Sequence, residues 1–267
     1  MDGNILMQGS LELNKIYCCN ALDLMARMPD GFVDLTVTSP PYDNLRSYNG
    51  YEFDFETIAR ELYRVTKKGG VVVWVVGDAT VNGSETLTSL SNAARFKTHG
   101  FWLYDTMIYE KASRIPTEGR YYNVFEYMFV FSQGKRKTIN FINDHRNVTF
   151  GAVKQKDAVI NKGANVKKDA FLITPEFSRR SNIWRYGTGT NDPTDHPAVF
   201  PEQLALDHVQ SWSNEGDVVY DPFMGSGTTA KAAHQLKRRW IGSEISQEYV
   251  DLANKRLEPY LAQESLF

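Results

Sequence analysis

The sequence predicts an α/β protein with a doubly wound sheet, and two observations support this fold class. Apolar runs of strand length alternate with helical patterns along most of the 267 residues. Two turns marked by glycine or proline, at residues 38–42 and 221–229, directly follow such runs. Ligands of doubly wound sheets bind where the strands reach their carboxyl ends, so both turns occupy positions suited to a site.

In the first half of the chain, a β-branched strand over residues 35–37 runs into Thr38-Ser39-Pro40-Pro41-Tyr42, where two consecutive prolines end regular structure. Residues 43–54 are polar and contain glycine and asparagine, which indicates a loop. The other predicted elements are helices over 21–28, 55–65 and 84–97 and strands over 71–76, 101–110 and 123–132.

The second half continues the alternation. Gly225-Ser226-Gly227 turns the chain from a strand into a helix, and Ser246 is a suitable N-cap for the last helix. The predicted elements are helices over 202–212, 228–236 and 246–260 and strands over 217–220 and 239–244.

The composition is that of a globular protein, with 42% hydrophobic and 23% charged residues. No apolar run approaches the length of a membrane span, and the first residues lack a signal-peptide pattern, so a cytoplasmic location is expected. Cys18 and Cys19 are adjacent, which makes them poor disulfide partners. With no second cysteine pair, no metal site is expected, and both residues are predicted to be small buried side chains.

The net charge of −2 conceals an uneven distribution. Residues 133–185 contain twelve Lys and Arg against four Asp and Glu, a local charge of +8, and the remaining 18 bases and 28 acids sum to −10. A basic run is most often a solvated surface, but it also suits contact with a polyanion.

The turn at 225–227 joins a strand to a helix, where free backbone N–H groups and the helix dipole favour an anionic group. Gly225 and Gly227 allow a ligand to approach the backbone closely. Glu244, at the end of the next strand, can accept hydrogen bonds from both hydroxyls of a ribose, although a solvated acid is the alternative. The nicotinamide fingerprint G-x-G-x-x-G is absent, which disfavours an oxidoreductase.

Residues 221–229, Asp-Pro-Phe-Met-Gly-Ser-Gly-Thr-Thr, resemble the S-adenosylmethionine motif of the DNA amino-methyltransferases at nearly every position. Residues 196–202 resemble the motif that precedes it in that family, and 240–244 resemble its ribose-binding strand. The catalytic motif comes first and the donor motif last, which is the permuted order of the beta group. By this resemblance the cofactor is S-adenosyl-L-methionine, held by Asn20, Thr38, Phe200, Pro201, Asp221, Pro222, Phe223, Gly225, Ser226, Gly227, Thr228 and Glu244.

The resemblance also distributes roles within that set. The turn at 225–228 would face the methionine end of the donor, Glu244 the ribose, and Phe200-Pro201 the pocket wall. The family usually has Gly-Asp where this chain has Cys19-Asn20. The Asn20 amide can accept from an adenine amino group and donate to a ring nitrogen, whereas an ordinary cap asparagine is the alternative.

The catalytic residues implied by the Ser-Pro-Pro-Tyr motif are Ser39, Pro40, Pro41 and Tyr42. An exocyclic base amine is a poor nucleophile because its lone pair is delocalised into the ring. Ser39 Oγ and the Pro40 carbonyl can each accept one N–H of the amine, and the two prolines hold that carbonyl rigidly. Tyr42 offers a flat face on which an extruded base can stack. No covalent intermediate is required.

The expected reaction is methylation of double-stranded DNA at N4 of cytosine, because family members with Ser ahead of Pro-Pro-Tyr mostly modify cytosine. N6 of adenine is the alternative. RNA and protein amino-methyltransferases normally place the donor motif first and carry Asn in the catalytic motif, and a catalytically silent DNA-binding module is a further alternative. No nuclease motif is evident, so restriction would need a separate endonuclease. The oligomeric state is not indicated.

Three regions follow from this interpretation: residues 1–132 as the catalytic half, 133–185 as a target-recognition region, and 186–267 as the donor-binding half. Lys and Arg contacts to phosphates would make DNA binding strongly salt-dependent. The residues expected at the DNA are Arg46 and Tyr48 in the loop and Lys154, Lys156, Lys167 and Lys168 in the basic region.

Overall fold

In a computed structural model of the protein, the described residues are 11–41, 53–115, 119–155, 171–187 and 201–264. The chain divides into two compact units. Residues 1–140 and 182–267 form the larger unit, and residues 141–181 form the smaller one. The larger unit is built on an eight-stranded sheet with helices, which confirms the predicted α/β class.

The described residues contain fourteen strands and six helices. The strands are β1 Lys15–Cys18, β2 Val33–Thr38, β3 Thr66–Val76, β4 Thr80–Val81, β5 Ser84–Glu85, β6 Trp102–Ile115, β7 Asn123–Ser132, β8 Asn143–Arg146, β9 Val153–Gln155, β10 Phe171–Ile173, β11 Phe177–Arg179, β12 Ile183–Tyr186, β13 Val218–Asp221 and β14 Arg239–Glu244. The helices are α1 Ala21–Arg27, α2 Phe55–Val65, α3 Thr88–Thr98, α4 Glu202–Trp212, α5 Thr228–Gln235 and α6 Gln247–Glu264.

The strand order of the large sheet is β1-β14-β13-β2-β3-β7-β6-β12. The pairs from β1 to β3 are parallel, β7 is antiparallel to both of its neighbours, and β12 is parallel to β6. From β2 the chain moves through α2 to β3 on one side, and from β13 it moves through α5 to β14 on the other. The strand order therefore reverses between β2 and β13, and such a switch point opens a crevice at the carboxyl ends of the strands.

The helix α2 lies within the bounds predicted from the sequence, and its contacts show why that prediction succeeds. Its apolar residues recur at helical spacing, and the structure buries all four of them, Phe55, Ile58, Leu62 and Val65. The Asp54 carboxylate accepts from Thr57 N at 3.1 Å and caps the amino end. The buried face packs on the sheet, where the Phe55 ring meets Trp74 of β3 edge-on at 5.9 Å between centroids.

One predicted helix begins later than expected. Residues 80–85, at the edge of the predicted helix 84–97, form the hairpin β4–β5, and α3 starts at Thr88. Asn82 and Gly83 have φ values of 50° and 78°, the left-handed pair that a two-residue hairpin turn requires. The Asp78 carboxylate accepts from Ser89 N at 2.8 Å, so the helix is capped from before the hairpin.

The smaller unit contains two antiparallel ladders, β8 with β11 and β9 with β10. It lies within the predicted target-recognition region 133–185, but the end of that region belongs to the larger unit, because residues 183–186 form β12 of the large sheet. By sequence, the smaller unit has eight Lys and Arg against four Asp and Glu, so half of the +8 lies in it.

The prediction of two buried cysteines was wrong. Cys18 is exposed and Cys19 is half-buried, because β1 lies at the edge of the sheet and Cys18 is its last residue. Burial raises the pKa of the Cys19 thiol to about 11. Within the described residues, no helix has the length and apolar character needed to cross a membrane, and no group of three or more metal-ligating side chains is present.

Candidate active site

The two sequence motifs meet at the switch point. β2 and β13 are adjacent and parallel, with Leu35 opposite Val219 and Thr36 opposite Tyr220. At the carboxyl ends of these strands, Thr38 Oγ1 donates a 2.6 Å hydrogen bond to Asp221 Oδ1. A residue of the Thr-Ser-Pro-Pro motif is thus bonded to the first residue of the glycine-turn motif, 183 positions away in the chain.

Asp221 organises the start of the donor motif. Its carboxylate is 2% exposed and also accepts from Thr229 Oγ1 at 2.7 Å and from Phe223 N at 3.0 Å. Burial raises its pKa from the ordinary 3.8 to about 6, although these hydrogen bonds favour the charged form and act in the opposite direction. Because its oxygens are used inside the protein, Asp221 holds the strand ends and the turn in place.

The buried carboxyl group predicts a particular pH dependence of stability. Its pKa is higher in the folded state than in the unfolded state, so the folded protein takes up this proton first as the pH falls from about 6 to about 4. The free energy of unfolding therefore gains roughly 3 kcal/mol from this group over that range. The Asn side chain of Asp221→Asn does not titrate in this range. In urea unfolding, the free energy of unfolding of wild type should therefore increase relative to that of the variant as the pH falls. A difference that stays constant with pH would contradict this account.

The glycine turn has the geometry of a close-approach site. Gly225 and Gly227 have φ values of 52° and 84°, which other residues rarely adopt. A Cβ on Gly227 would lie 3.0 Å from Ala253 Cβ, so the turn packs tightly against α6. In the described residues no side chain caps the amino end of α5, and its first N–H groups are therefore suited to an anionic ligand.

Glu244 lies directly beside this turn. Its carboxylate is 6% exposed, with Oε2 accepting from Gly225 N at 2.9 Å and Oε1 accepting from Ser246 N at 3.0 Å. Each carboxylate oxygen has a further acceptor site, so two ribose hydroxyls can still donate to it. β14 approaches the turn closely at Gly242, where a Cβ would overlap Met224 Cε.

A polar network supports the turn from behind. Arg256 of α6 donates to Thr228 Oγ1 at 3.0 Å, to Ser226 Oγ at 3.2 Å and to Ser226 O at 3.3 Å. Glu202, at the start of α4, accepts from Lys231 Nζ at 2.6 Å and from Arg256 Nη2 at 3.5 Å. The sequence did not indicate this network, because neither Lys231 nor Arg256 has a pattern that identifies a partner distant in the chain.

Phe223 connects the donor motif to the aromatic core. Its ring meets Phe53 edge-on at 5.6 Å and Trp74 at 6.3 Å between centroids. Phe53 lies just before α2 and Trp74 lies opposite Thr38 in the neighbouring strand. The apolar contacts therefore fix the donor motif against the strand that follows the catalytic one.

The described catalytic residues follow β2 directly. Ser39 and Pro41 are half-buried and Pro40 is buried. Pro201 precedes α4 as its N-cap residue, and of Lys154 only the backbone in β9 is described. The predicted site residues that lie outside the described residues are Tyr42, Arg46, Tyr48, Lys156, Lys167, Lys168 and Phe200.

Asn20 caps a helix. Its Oδ1 accepts from Leu22 N at 2.8 Å at the amino end of α1, which is the alternative that the sequence left open for this residue. Asn20 also follows β1, which pairs with β14 so that Cys18 lies opposite Glu244. Contact between Asn20 and an adenine ring stays a prediction. In that contact the Nδ2 group would donate to a ring nitrogen, and the second lone pair of Oδ1 would accept from the adenine amino group.

The arrangement fits S-adenosylmethionine. The α5 amino end suits the carboxylate of its methionine part, and Glu244 suits its ribose. Gly225 and Gly227 supply the left-handed backbone that this turn requires, and the packing of Gly227 against Ala253 of α6 fixes the turn at the amino end of α5.

Comparisons with known proteins support the same interpretation. The N6/N4 methyltransferase family model, described as DNA methylase, matches residues 33–255. Orphan methyltransferase M.BamHII of Bacillus amyloliquefaciens is 56% identical over 241 residues, which cover 87% of this chain and 91% of that protein. Type II methyltransferase M.BglII of Bacillus subtilis is 26% identical over 274 residues, which cover 91% of this chain and 68% of that protein.

Solved structures share the fold. TTHA0409 of Thermus thermophilus, complexed with S-adenosyl-L-methionine, has a TM-score of 0.62 and 26% identity, covering 92% of this chain and 95% of that one. The cytosine-N4-specific PvuII DNA methyltransferase has a TM-score of 0.69 and 20% identity, covering 90% of this chain and 85% of that one. At this identity the second likeness concerns the fold alone.

Proposed function

Because this chain belongs to the N6/N4 DNA methylase family, we propose that it methylates double-stranded DNA at N4 of cytosine, with S-adenosyl-L-methionine as the methyl donor. The observation that carries the proposal is the hydrogen bond between Thr38 and Asp221, which fixes the catalytic and donor motifs side by side at the switch point. Transfer requires the amine and the methyl group to lie in line, and the bond between the two strand ends favours this placement.

The donor, when bound, supplies an electrophilic methyl group on a sulfonium. Glu244 accepts from the ribose hydroxyls and the turn at 225–227 receives the methionine end. The Arg256 and Glu202 network holds that turn from behind. These groups bind and orient the donor and take no part in bond formation, so their loss would raise the donor Kd more than it lowers the rate at saturation.

The amine is activated by acceptors on the chain after β2. Ser39 Oγ and the Pro40 carbonyl each accept an N–H of the amine, which draws the lone pair out of the ring and directs it at the methyl group. Pro40 is buried and Pro41 follows it, so the Pro40 carbonyl has little freedom to turn away. Tyr42 supports the extruded base by stacking.

The choice of cytosine depends on Ser39, as the serine form of the motif favours cytosine in the family. Nucleoside mass spectrometry of DNA from cells that express the protein should show N4-methylcytosine, and cells with a Ser39→Ala variant provide the matched control. If only N6-methyladenine is found, the target base is adenine, cytosine is rejected, and the same mechanism applies to the adenine amine. If the DNA contains no modified base, the protein methylates RNA or protein instead, or it is a DNA-binding module without catalytic activity.

We further propose that the basic region supplies most of the phosphate contacts. In addition to the four lysines predicted at the DNA, the sequence of the smaller unit contains Arg146 and Arg179, which are exposed. An otherwise acidic chain must overcome repulsion from a polyanion, and a local excess of bases reduces this repulsion. Arg46 and Tyr48 would contact the DNA near the extruded base.

A further inference from the structure

Strands β6 and β7 extend well past the carboxyl ends of β2 and β3, the end of the sheet at which the catalytic motif lies. Thr38 is level with Trp74 of β3, which pairs with Phe129 of β7. β7 is antiparallel and begins at Asn123, six residues before Phe129. At about 3.3 Å per residue, β7 therefore starts roughly 20 Å beyond the level of Thr38. We call residues 109–115 and 119–126 the β6–β7 arm.

The described end of this arm presents aromatic side chains to solvent. Tyr121 is 100% exposed, Tyr122 is 53% exposed, and Phe125 is also exposed. Aromatic rings normally bury most of their surface, and several on one projecting segment indicate a contact surface. The exposed aromatic residues are therefore concentrated toward the end of the arm that is farthest from the core.

The arm is held from the side. Arg120 donates hydrogen bonds to Gly83 O and to Glu85 Oε1 of the β4–β5 hairpin, which itself follows the carboxyl end of β3. Asp78 anchors the base of that hairpin to α3 through Ser89. The two hairpins thus support each other, which lowers the entropy cost of presenting the tyrosines in one orientation.

The acids of the arm are neutralised locally. Glu126 pairs with Lys111 at 2.7 Å, Glu110 pairs with Arg185, and Glu85 beside the arm pairs with Arg120 at 3.3 Å. Unpaired carboxylates here would repel a phosphate backbone. Their pairing leaves a surface that tolerates a polyanion and presents mainly aromatic groups.

We propose that Tyr121 and Tyr122 contact duplex DNA beside the extruded base, with the β6–β7 arm lying in a groove. The inference rests on the proposed function, since the position of the arm is defined relative to the catalytic motif. A major groove about 12 Å wide admits a two-stranded β-ribbon, and the end of the arm beyond Lys111, where β12 no longer pairs with β6, has this form. Tyrosines contribute apolar contact with base edges and a hydroxyl for polar atoms of the groove or backbone.

The test compares wild type with Tyr121→Ala/Tyr122→Ala on a duplex that carries the sequence in which the modified base is found. The duplex Kd should rise about tenfold or more, the change expected when aromatic contacts with bases are lost. The donor Kd and the midpoint of thermal unfolding should stay unchanged, because neither ring is buried. Trp102→Ala is the matched control, since Trp102 is 60% exposed and lies at the start of β6, at the end of the sheet opposite the arm.

Shortened duplexes separate direct contact from an indirect effect. Wild type should lose affinity when base pairs are removed on the side of the target base that the arm covers, and the double variant should respond much less to that removal. Equal binding of wild type and variant, or an equal response to shortening, would overturn the proposal for the arm. A wild-type protein that methylates no DNA would instead reject the proposed function, so the two failures are distinguishable.

Discussion

Replacing Ser39 with alanine should lower the rate of methyl transfer in a single turnover by about ten- to a hundredfold, with the Kd of S-adenosylmethionine close to wild type. Ser39 directly follows Thr38, the last residue of β2, and is half-buried at the carboxyl end of that strand. It accepts from the amine most strongly when the nitrogen develops positive charge, so its loss affects the transition state more than binding. Rapid quench with donor and enzyme in excess over DNA measures this rate.

Two variants define the interpretation. Ser39→Asp retains an oxygen acceptor and should keep more activity than Ser39→Ala, which a purely structural role for the serine would not produce. Ser84→Ala removes an exposed serine in the β4–β5 hairpin and should leave the rate unchanged. If Ser39→Ala turns over at the wild-type rate, the Pro40 carbonyl must activate the amine without it.

Local sequence signals predicted most of the fold. The bounds of α4 and β14 were predicted correctly to the residue, since Glu202–Trp212 and Arg239–Glu244 are bordered by proline, glycine or polar turns. The buried face of α2 follows from helical spacing alone. These elements succeed because each segment's pattern and its tertiary environment favour the same structure.

The prediction failed where tertiary contacts decide. The hairpin β4–β5 requires two left-handed residues, which the Asn82-Gly83 pair signals, but the short strands lack an apolar pattern. The bounds 133–185 follow the basic charge of the sequence, and β12 near their end joins the large sheet, with Trp184 and Tyr186 buried. Net charge describes partners and solubility and does not locate a domain boundary.

For the site, the sequence placed each motif at the end of a strand but did not show that β2 and β13 are neighbours. That adjacency depends on which strands pair, and the pairing joins residues about 180 positions apart. The network of Thr38, Asp221 and Thr229 therefore emerged only from the fold.

Removing the Glu244 carboxylate should weaken donor binding by about tenfold or more, because a charge-assisted hydrogen bond lost at a buried site costs on the order of 1.5–3 kcal/mol. Isothermal titration calorimetry of Glu244→Ala measures the effect. Glu248→Ala is the matched control. Glu248 is exposed in the first turn of α6, and its substitution removes the same charge four residues from Glu244.

Glu244 also holds Gly225 N and Ser246 N, so a loss of affinity in Glu244→Ala has two sources: the ribose contact and a displaced turn. A donor analogue that lacks the ribose 2′ and 3′ hydroxyls separates them, because only the ribose contact depends on the ligand's hydroxyls. Wild type should prefer the natural donor strongly, and Glu244→Ala should bind both ligands with similar, weak affinity. If the variant retains the full preference, the carboxylate supports the turn without touching the ribose, and the hydroxyls must bind another group at the carboxyl ends of the strands.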